Sequence, residues 1–308
     1  MSFETDLLID RRRLKRRLVF WRVVAVLAVV AAVLIGLRGR GLIGGYGSHV
    51  ALLRVDGIIT DDPKLDSLIE KVAKDPSAKA LIVSIDSPGG SVGGGEAMHD
   101  AIARVAAVKP VVAVMGGLAA SAAYMIAVPA QRIFAREGTL TGDIGVFLQS
   151  ADISGLLGKI GINTEVIKSG PFKDVPSLTE PLSPEGQQML QGIVTNLYDQ
   201  FVTMVADGRH MDPAKVRQIA DGRPYTGQQA LKLGLIDAIG GQADARTWLA
   251  AAKGVRDDLP IEEISTEGFV ARAVQGSLSP VFGALWKSLV SQWLTLDAWT
   301  GVWQRSGA

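Results

Sequence analysis

Ala80-Leu81-Ile82-Val83-Ser84-Ile85-Asp86-Ser87-Pro88-Gly89-Gly90-Ser91-Val92-Gly93-Gly94-Gly95-Glu96 decides the fold class. Its first six residues form a short apolar run rich in β-branched side chains, the pattern of a strand buried on both faces. Asp86 to Gly90 is a dense turn signal, and residues 96–105 have a helical pattern. Lys109-Pro110 stops that helix, and residues 111–115 read as the next strand. Gly116-Gly117 then leads into a helix of small residues over 119–127. Upstream, residues 50–55 predict a strand, Asp56-Gly57 a turn and residues 63–73 a helix. Strand, glycine turn, helix and strand in repetition predict an α/β domain with a mainly parallel sheet.

The clearest helix covers residues 184–205. Leu190, Ile193, Val194, Leu197, Tyr198, Phe201, Val202 and Val205 make one apolar stripe, with Ser183 as N-cap and Pro184 at the first helical position.

The chain has 308 residues, 48% hydrophobic and 20% charged, which suits packed domains rather than disorder. It has no cysteine, so disulfides, cysteine-based zinc sites and a cysteine nucleophile are excluded. The net charge of +1 argues against a bulk nucleic-acid binder. That value hides an asymmetry: residues 1–40 carry nine basic and three acidic residues, and the remainder is net negative. Arg11, Arg12, Arg13, Lys15, Arg16 and Arg17 directly precede an apolar run over 18–37 in which only Arg22 is charged. As a helix of about 1.5 Å per residue, that run matches the thickness of a bilayer core. No small-x-small cleavage site follows it, so an uncleaved signal anchor is expected rather than a cleaved signal peptide. Basic residues stay inside, which gives a cytoplasmic segment 1–17, a span 18–37, a linker 38–48 and an extracytoplasmic remainder.

The glycine-rich stretch Gly89 to Gly95 sits between a strand and a helix, a context suited to phosphate. Its spacing fits neither G-x-G-x-x-G nor the P-loop. Close backbone approach to an extended peptide, or N–H groups facing an oxyanion, is the better use; a plain tight turn is the alternative. Ser121, in Gly116-Gly117-Leu118-Ala119-Ala120-Ser121-Ala122-Ala123-Tyr124, lies just past a strand at an expected helix start, where free N–H groups favour developing negative charge. Read locally it is either a reachable nucleophile or a helix N-cap. His49, His99 and His210 are the only histidines; they lie near the linker, inside a helix and in a polar loop, so a histidine triad is disfavoured. No metal site or cofactor is expected.

Six blocks, in order, resemble those of the bacterial signal peptide peptidase A family. They are Ile85-Asp86-Ser87-Pro88-Gly89-Gly90; Met115 to Ser121; Thr139-Leu140-Thr141-Gly142-Asp143-Ile144-Gly145-Val146; Lys168-Ser169-Gly170-Pro171-Phe172-Lys173-Asp174; Gly222-Arg223-Pro224-Tyr225-Thr226-Gly227-Gln228-Gln229-Ala230; and Gly234-Leu235-Ile236-Asp237. The resemblance implies a caseinolytic protease/crotonase-like fold of repeated ββα units over residues 49–255. It also implies a serine endopeptidase with a Ser–Lys dyad that degrades released signal peptides or similar apolar peptides at the bacterial inner membrane. By that resemblance Ser121 is the nucleophile, Lys173 the general base, and the N–H groups of Gly89 and Ser121 form the oxyanion hole. It further implies a homo-oligomeric ring whose sites pair the serine of one subunit with the lysine of the next. A free lysine is only about 0.04% neutral at pH 7, so a base needs a lowered pKa. There are two departures from the family: Ala122-Ala123 stand where Gly-Gly is common, and Asp143 stands where a serine normally meets the base. An ionised Asp143 beside Lys173 would hold the ammonium form. A catalytically silent peptide-binding membrane oligomer, and a crotonase-type acyl-CoA enzyme, are the other readings of this fold.

Residues 256–308 form a separate tail. Trp286, Trp293, Trp299 and Trp303 lie in it, and Trp286, Leu289, Val290 and Trp293 have helical spacing. That pattern suits a helix packed on the protein or one lying on the bilayer surface.

Overall fold

A computed structural model describes residues 20–22, 24–30 and 47–264. The first two stretches are helical and present Phe20, Trp21, Val26, Leu27 and Val29 to the outside. Half of the expected span 18–37 lies outside the described residues, as do the cytoplasmic segment and the tryptophan-bearing residues of the tail. Among the described residues no helix is long and apolar enough to cross a membrane.

The core is a mixed α/β structure around one eight-stranded sheet. Strands β1 (His49–Ile59), β2 (Ala78–Gly90) and β3 (Val111–Ala120) run parallel at its centre. The apolar run of β2 is buried because both faces of the sheet are covered. On one face Leu81, Val83 and Ile85 pack with Ile102 of helix α2 (Val92–Ala106), Tyr124 of α3 (Ala122–Ala127) and Phe201 of α5 (Pro184–Arg209). On the other, Ala80 and Ile82 join Val50, Leu52, Val112 and Phe134 beneath Ala245 and Leu249 of α8 (Gln242–Lys253). The remaining helices are α1 (Pro63–Lys74), α4 (Ser154–Lys159), α6 (Pro213–Ile219) and α7 (Gly227–Leu233).

Strand β3 forks, and the fork positions the site. Its first half pairs with β4 (Arg132–Ala135), its second half with β5 (Leu140–Gly142), both parallel. The strand β6 (Pro224–Thr226) adds antiparallel to β5, and β7 (Ala238–Ile239) adds to β4. At the fork, a side chain on Gly116 would strike the Asp86 carboxylate at 2.9 Å, and Asp86 Oδ1 accepts the Leu118 N–H at 3.1 Å. The glycine pair expected to turn the chain is therefore extended, and Asp86 to Gly90 likewise continues β2. Extension wins because each segment finds a ladder: residues 118–120 pair with β5, and Gly89 and Gly90 pair with Ile58 and Ile59 beyond a register shift in which β2 carries one extra residue. The small-residue helix accordingly starts at Ala122 rather than 119.

Past residue 255, β8 (Ile261–Ile264) pairs in parallel with β1, so the start of the expected tail belongs to the sheet. Helix α5 is anchored at both ends. The Ser183 hydroxyl caps its start, accepting the Gly186 N–H at 3.0 Å. Near its C-terminus the Arg209 guanidinium donates to both oxygens of Asp237, at 3.0 and 2.6 Å, and to the Gly234 carbonyl. Asp237 also accepts the Ile133 N–H of β4 at 2.7 Å.

Candidate active site

Ser121 occupies the junction between β3 and α3 with φ 55 and ψ −124, a conformation that residues with a side chain seldom adopt. Ser121 stands at the N-cap position of α3, as one local reading expected, but its hydroxyl makes no capping bond to the helix. The strained turn instead presents the half-buried side chain to a cavity of about 460 Å³. The strain is held from both sides. The Ser121 N–H donates to the Gly142 carbonyl at 2.9 Å, and the Ser121 carbonyl accepts from Tyr124 and Met125 in the first turn of α3. Tyr124 is fully buried, and its hydroxyl donates to the Leu235 carbonyl at 2.8 Å. Burial raises its pKa, so it remains a neutral donor.

The Ser121 N–H is therefore spent on the sheet, which corrects its expected place in an oxyanion hole. The next amide, that of Ala122, opens α3 and has no acceptor within the helix. Gly89 lies against this turn with φ 103. A methyl group there would meet Ala120 O at 2.8 Å, Ser121 Cβ at 2.9 Å and Ala122 N at 3.1 Å, so only glycine fits. The Gly89 N–H donates to the Ser87 hydroxyl at 3.1 Å.

Asp143 lines the same cavity as Ser121. Gly142 and Asp143 are both left-handed, φ 80 and 51, and carry the chain away from β5; the Asp143 N–H donates to the Arg223 carbonyl. Its carboxyl group is half-buried and makes no hydrogen bond or ion pair among the described residues, and desolvation alone raises its pKa. Thr141, one position before Gly142, is buried and ties β5 to β3 by donating to Ala119 O at 2.7 Å. Its role was hidden in the sequence because it depends on which strand lies beside it.

Lys173 is not brought to Ser121 within one chain. It is exposed, does not line the cavity, and its ammonium group has no hydrogen-bond or ion-pair partner among the described residues. Lys168, five positions before it, is tied to Glu180 at 2.6 Å. The segment from 145 to 182 contains only the short α4 and exposes many apolar side chains, with Phe147 84% and Ile167 96% accessible. None of the histidines lines the cavity. His49 lies 3.9 Å from both Asp75 and Glu262, His99 contacts Asp100, and His210 terminates α5. Among the described residues no cluster of histidine, aspartate or glutamate is arranged to hold a metal ion.

A profile of peptidase family S49 matches residues 103–256, half of the chain, and a Clp protease profile matches residues 67–137. A Synechocystis sp. protein bearing the name of a protease is 40% identical over 210 residues, covering 68% of this chain and 76% of its own. The chain belongs to peptidase family S49. Other S49-like relatives are Protease 4 of Salmonella typhi, 38% identical over 65% of this chain and 34% of that protein, and an Enterococcus faecium protein named as signal peptide peptidase SppA, 33% identical over 74% of this chain and 71% of that one. The chain thus spans about a third of the Salmonella protein. The S49 match takes in Ser121, Asp143 and Lys173, and the family makes this chain a peptidase with a Clp-protease-like core.

Proposed function

We propose that the chain is a membrane-anchored serine endopeptidase in which Ser121 is the nucleophile and Lys173 of a second copy is the general base. The observation that carries this reading is the strained Ser121 turn, uncapped and facing a cavity beside Gly89. Strain of this kind persists where the surrounding structure holds it for use.

In the proposed reaction the Ser121 hydroxyl attacks the scissile carbonyl, and its proton passes to the neutral amine of Lys173. The tetrahedral oxyanion is met by the N–H groups of Gly89 and Ala122, with the Ser87 hydroxyl rotating away from the former. The Lys173 ammonium then gives its proton to the departing amine. Water attacks the acyl-enzyme with Lys173 again as base, and the acid leaves. The substrate chain lies extended along the Gly89–Gly90 edge.

The isolated position of Lys173 and the apolar arm around it support a site completed by a neighbouring subunit in a ring. Exposed apolar surface on this scale marks an interface, and seating Lys173 in it would desolvate the amine and favour its neutral form. The basic residues before the apolar run support a single-pass anchor with the peptidase outside the cytoplasm. Apolar peptides released at that membrane, signal peptides among them, are the proposed substrates.

Labelling with a fluorophosphonate probe tests the reading. The wild-type protein should label at Ser121, and Ser121→Ala and Lys173→Ala should both fail to label. Hydrolysis by Ser121→Ala at the wild-type rate would overturn it.

A further inference from the structure

The Ser121 cavity is chemically one-sided. Two carboxylates, Asp143 and Asp221, line it, and no lysine, arginine or histidine does. Asp221 already has its cation, since Arg223 Nε donates to both its oxygens at 2.8 Å. The other nearby guanidinium, Arg217, is paired with Asp199 at 2.7 Å. Asp143 is left as the anion without a counter-charge, half-buried and in left-handed backbone, next to the strained Ser121. The burial and the missing counter-charge disfavour an aspartate at this position in the isolated chain, although its left-handed backbone is one that aspartate tolerates. A carboxylate kept there without any partner of its own is arranged for a cation that comes from outside the chain. Val146, Phe147, Val194 and Tyr198 supply apolar walls for the stem of a long side chain, and the cavity volume lies in the range of ligand sites.

We propose that this cavity takes the cationic side chain of a peptide substrate, an arginine or lysine flanking the scissile bond, with Asp143 as its specificity-determining contact. The proposal rests on the reading of Ser121 as nucleophile. A substrate cation suits that reading better than the lysine of a neighbouring subunit as the partner of Asp143. A lysine held on an ionised carboxylate stays an ammonium and cannot accept the Ser121 proton. A substrate cation instead neutralises Asp143 and removes the charge that would hold Lys173 protonated. Basic substrates would then both bind and release the base.

The test uses the full-length protein and a set of otherwise identical apolar peptides. One position carries arginine, lysine, norleucine or glutamate and is moved through the three residues on either side of the cleaved bond. The wild-type protein should prefer arginine or lysine over norleucine by about tenfold or more in kcat/KM at one position, with glutamate poorest. Asp143→Asn should bring the arginine-to-norleucine ratio close to one. Asparagine tolerates left-handed backbone, so this variant should fold; Asp143→Ser provides a second variant with the same expected loss. No cationic preference at any position would overturn the proposal. So would a preference that survives in Asp143→Asn, including the case in which all peptides slow equally, which would assign Asp143 to the base of a neighbouring subunit. Failure of the underlying reading has a different signature, continued hydrolysis by Ser121→Ala whatever the peptide.

Discussion

Gly89 and Ser121 touch across the cleft: a methyl group on Gly89 would stand 2.9 Å from the Ser121 Cβ. The glycine is thus part of the shape of the nucleophile turn, and its φ of 103 excludes other residues independently. Gly89→Ala should lower hydrolysis by about a hundredfold or more, the scale of a lost oxyanion donor. Gly93 is the control. It is exposed, lies within α2 and has open space where a methyl would go. Gly93→Ala should leave turnover alone and stabilise the fold by about 0.5–1 kcal/mol. Kinetics and thermal melts on both variants read the difference, and equal turnover in the two would remove Gly89 from the site.

Asp143 should make stability depend on pH in a defined direction. Desolvation raises its pKa in the folded state, so the fold binds its proton more tightly than the unfolded chain does. Its contribution therefore falls as pH rises from the ordinary carboxylate range, about 4, through the raised folded value, and stays unfavourable at neutral pH. Asp143→Asn should melt higher than wild type at pH 7, with the difference vanishing at the acid end. A melting-temperature difference that is the same at both ends would show that the carboxylate is not desolvated.

The Arg209–Asp237 pair should dominate the attachment of α5. Its guanidinium is largely buried and doubly bonded, and Asp237 also receives the Ile133 N–H. Removing Arg209 leaves the partly buried Asp237 carboxylate with the Ile133 N–H but no counter-charge. Arg209→Ala is expected to destabilise the domain by about 3–5 kcal/mol, measured by denaturant unfolding. A loss below about 1 kcal/mol would place the pair with ordinary surface bridges.

The proposed anchor fixes which parts of the chain a protease can reach. Protease added to intact spheroplasts should digest the domain beyond residue 47 and spare a tag at the N-terminus. Digestion of the tag with protection of the domain would reverse the topology.

Much of this fold was legible in the residues, and the misses have physical causes. The β2 strand and α5 were visible because one is a run buried on both faces and the other carries a long apolar stripe. Asp86 to Gly90 and Gly116-Gly117 read as turns because glycine and proline usually mark them; here they let strands pack closely, as Asp86 against Gly116 shows. Ser121, Gly89 and Asp143 are brought together, as their motifs indicate. The choice of Ala122 over Ser121 as the free amide was not legible, because it depends on the β3–β5 ladder taking the Ser121 N–H. Nor could sequence spacing place Lys173: the arm that carries it reaches the cavity through Val146 and Phe147, but Lys173 itself does not line it.

The central claim is that the nucleophile and its base come from different chains. Ser121→Ala and Lys173→Ala proteins, each inactive alone, should be co-assembled and their peptide hydrolysis measured, with mixed oligomers verified by two affinity tags. Random mixing of the two variants places an intact Ser121 beside an intact Lys173 at about a quarter of the interfaces. Activity should therefore return to a comparable fraction of wild type. Mixed oligomers that remain inactive would contradict a shared site and confine the dyad to a single chain.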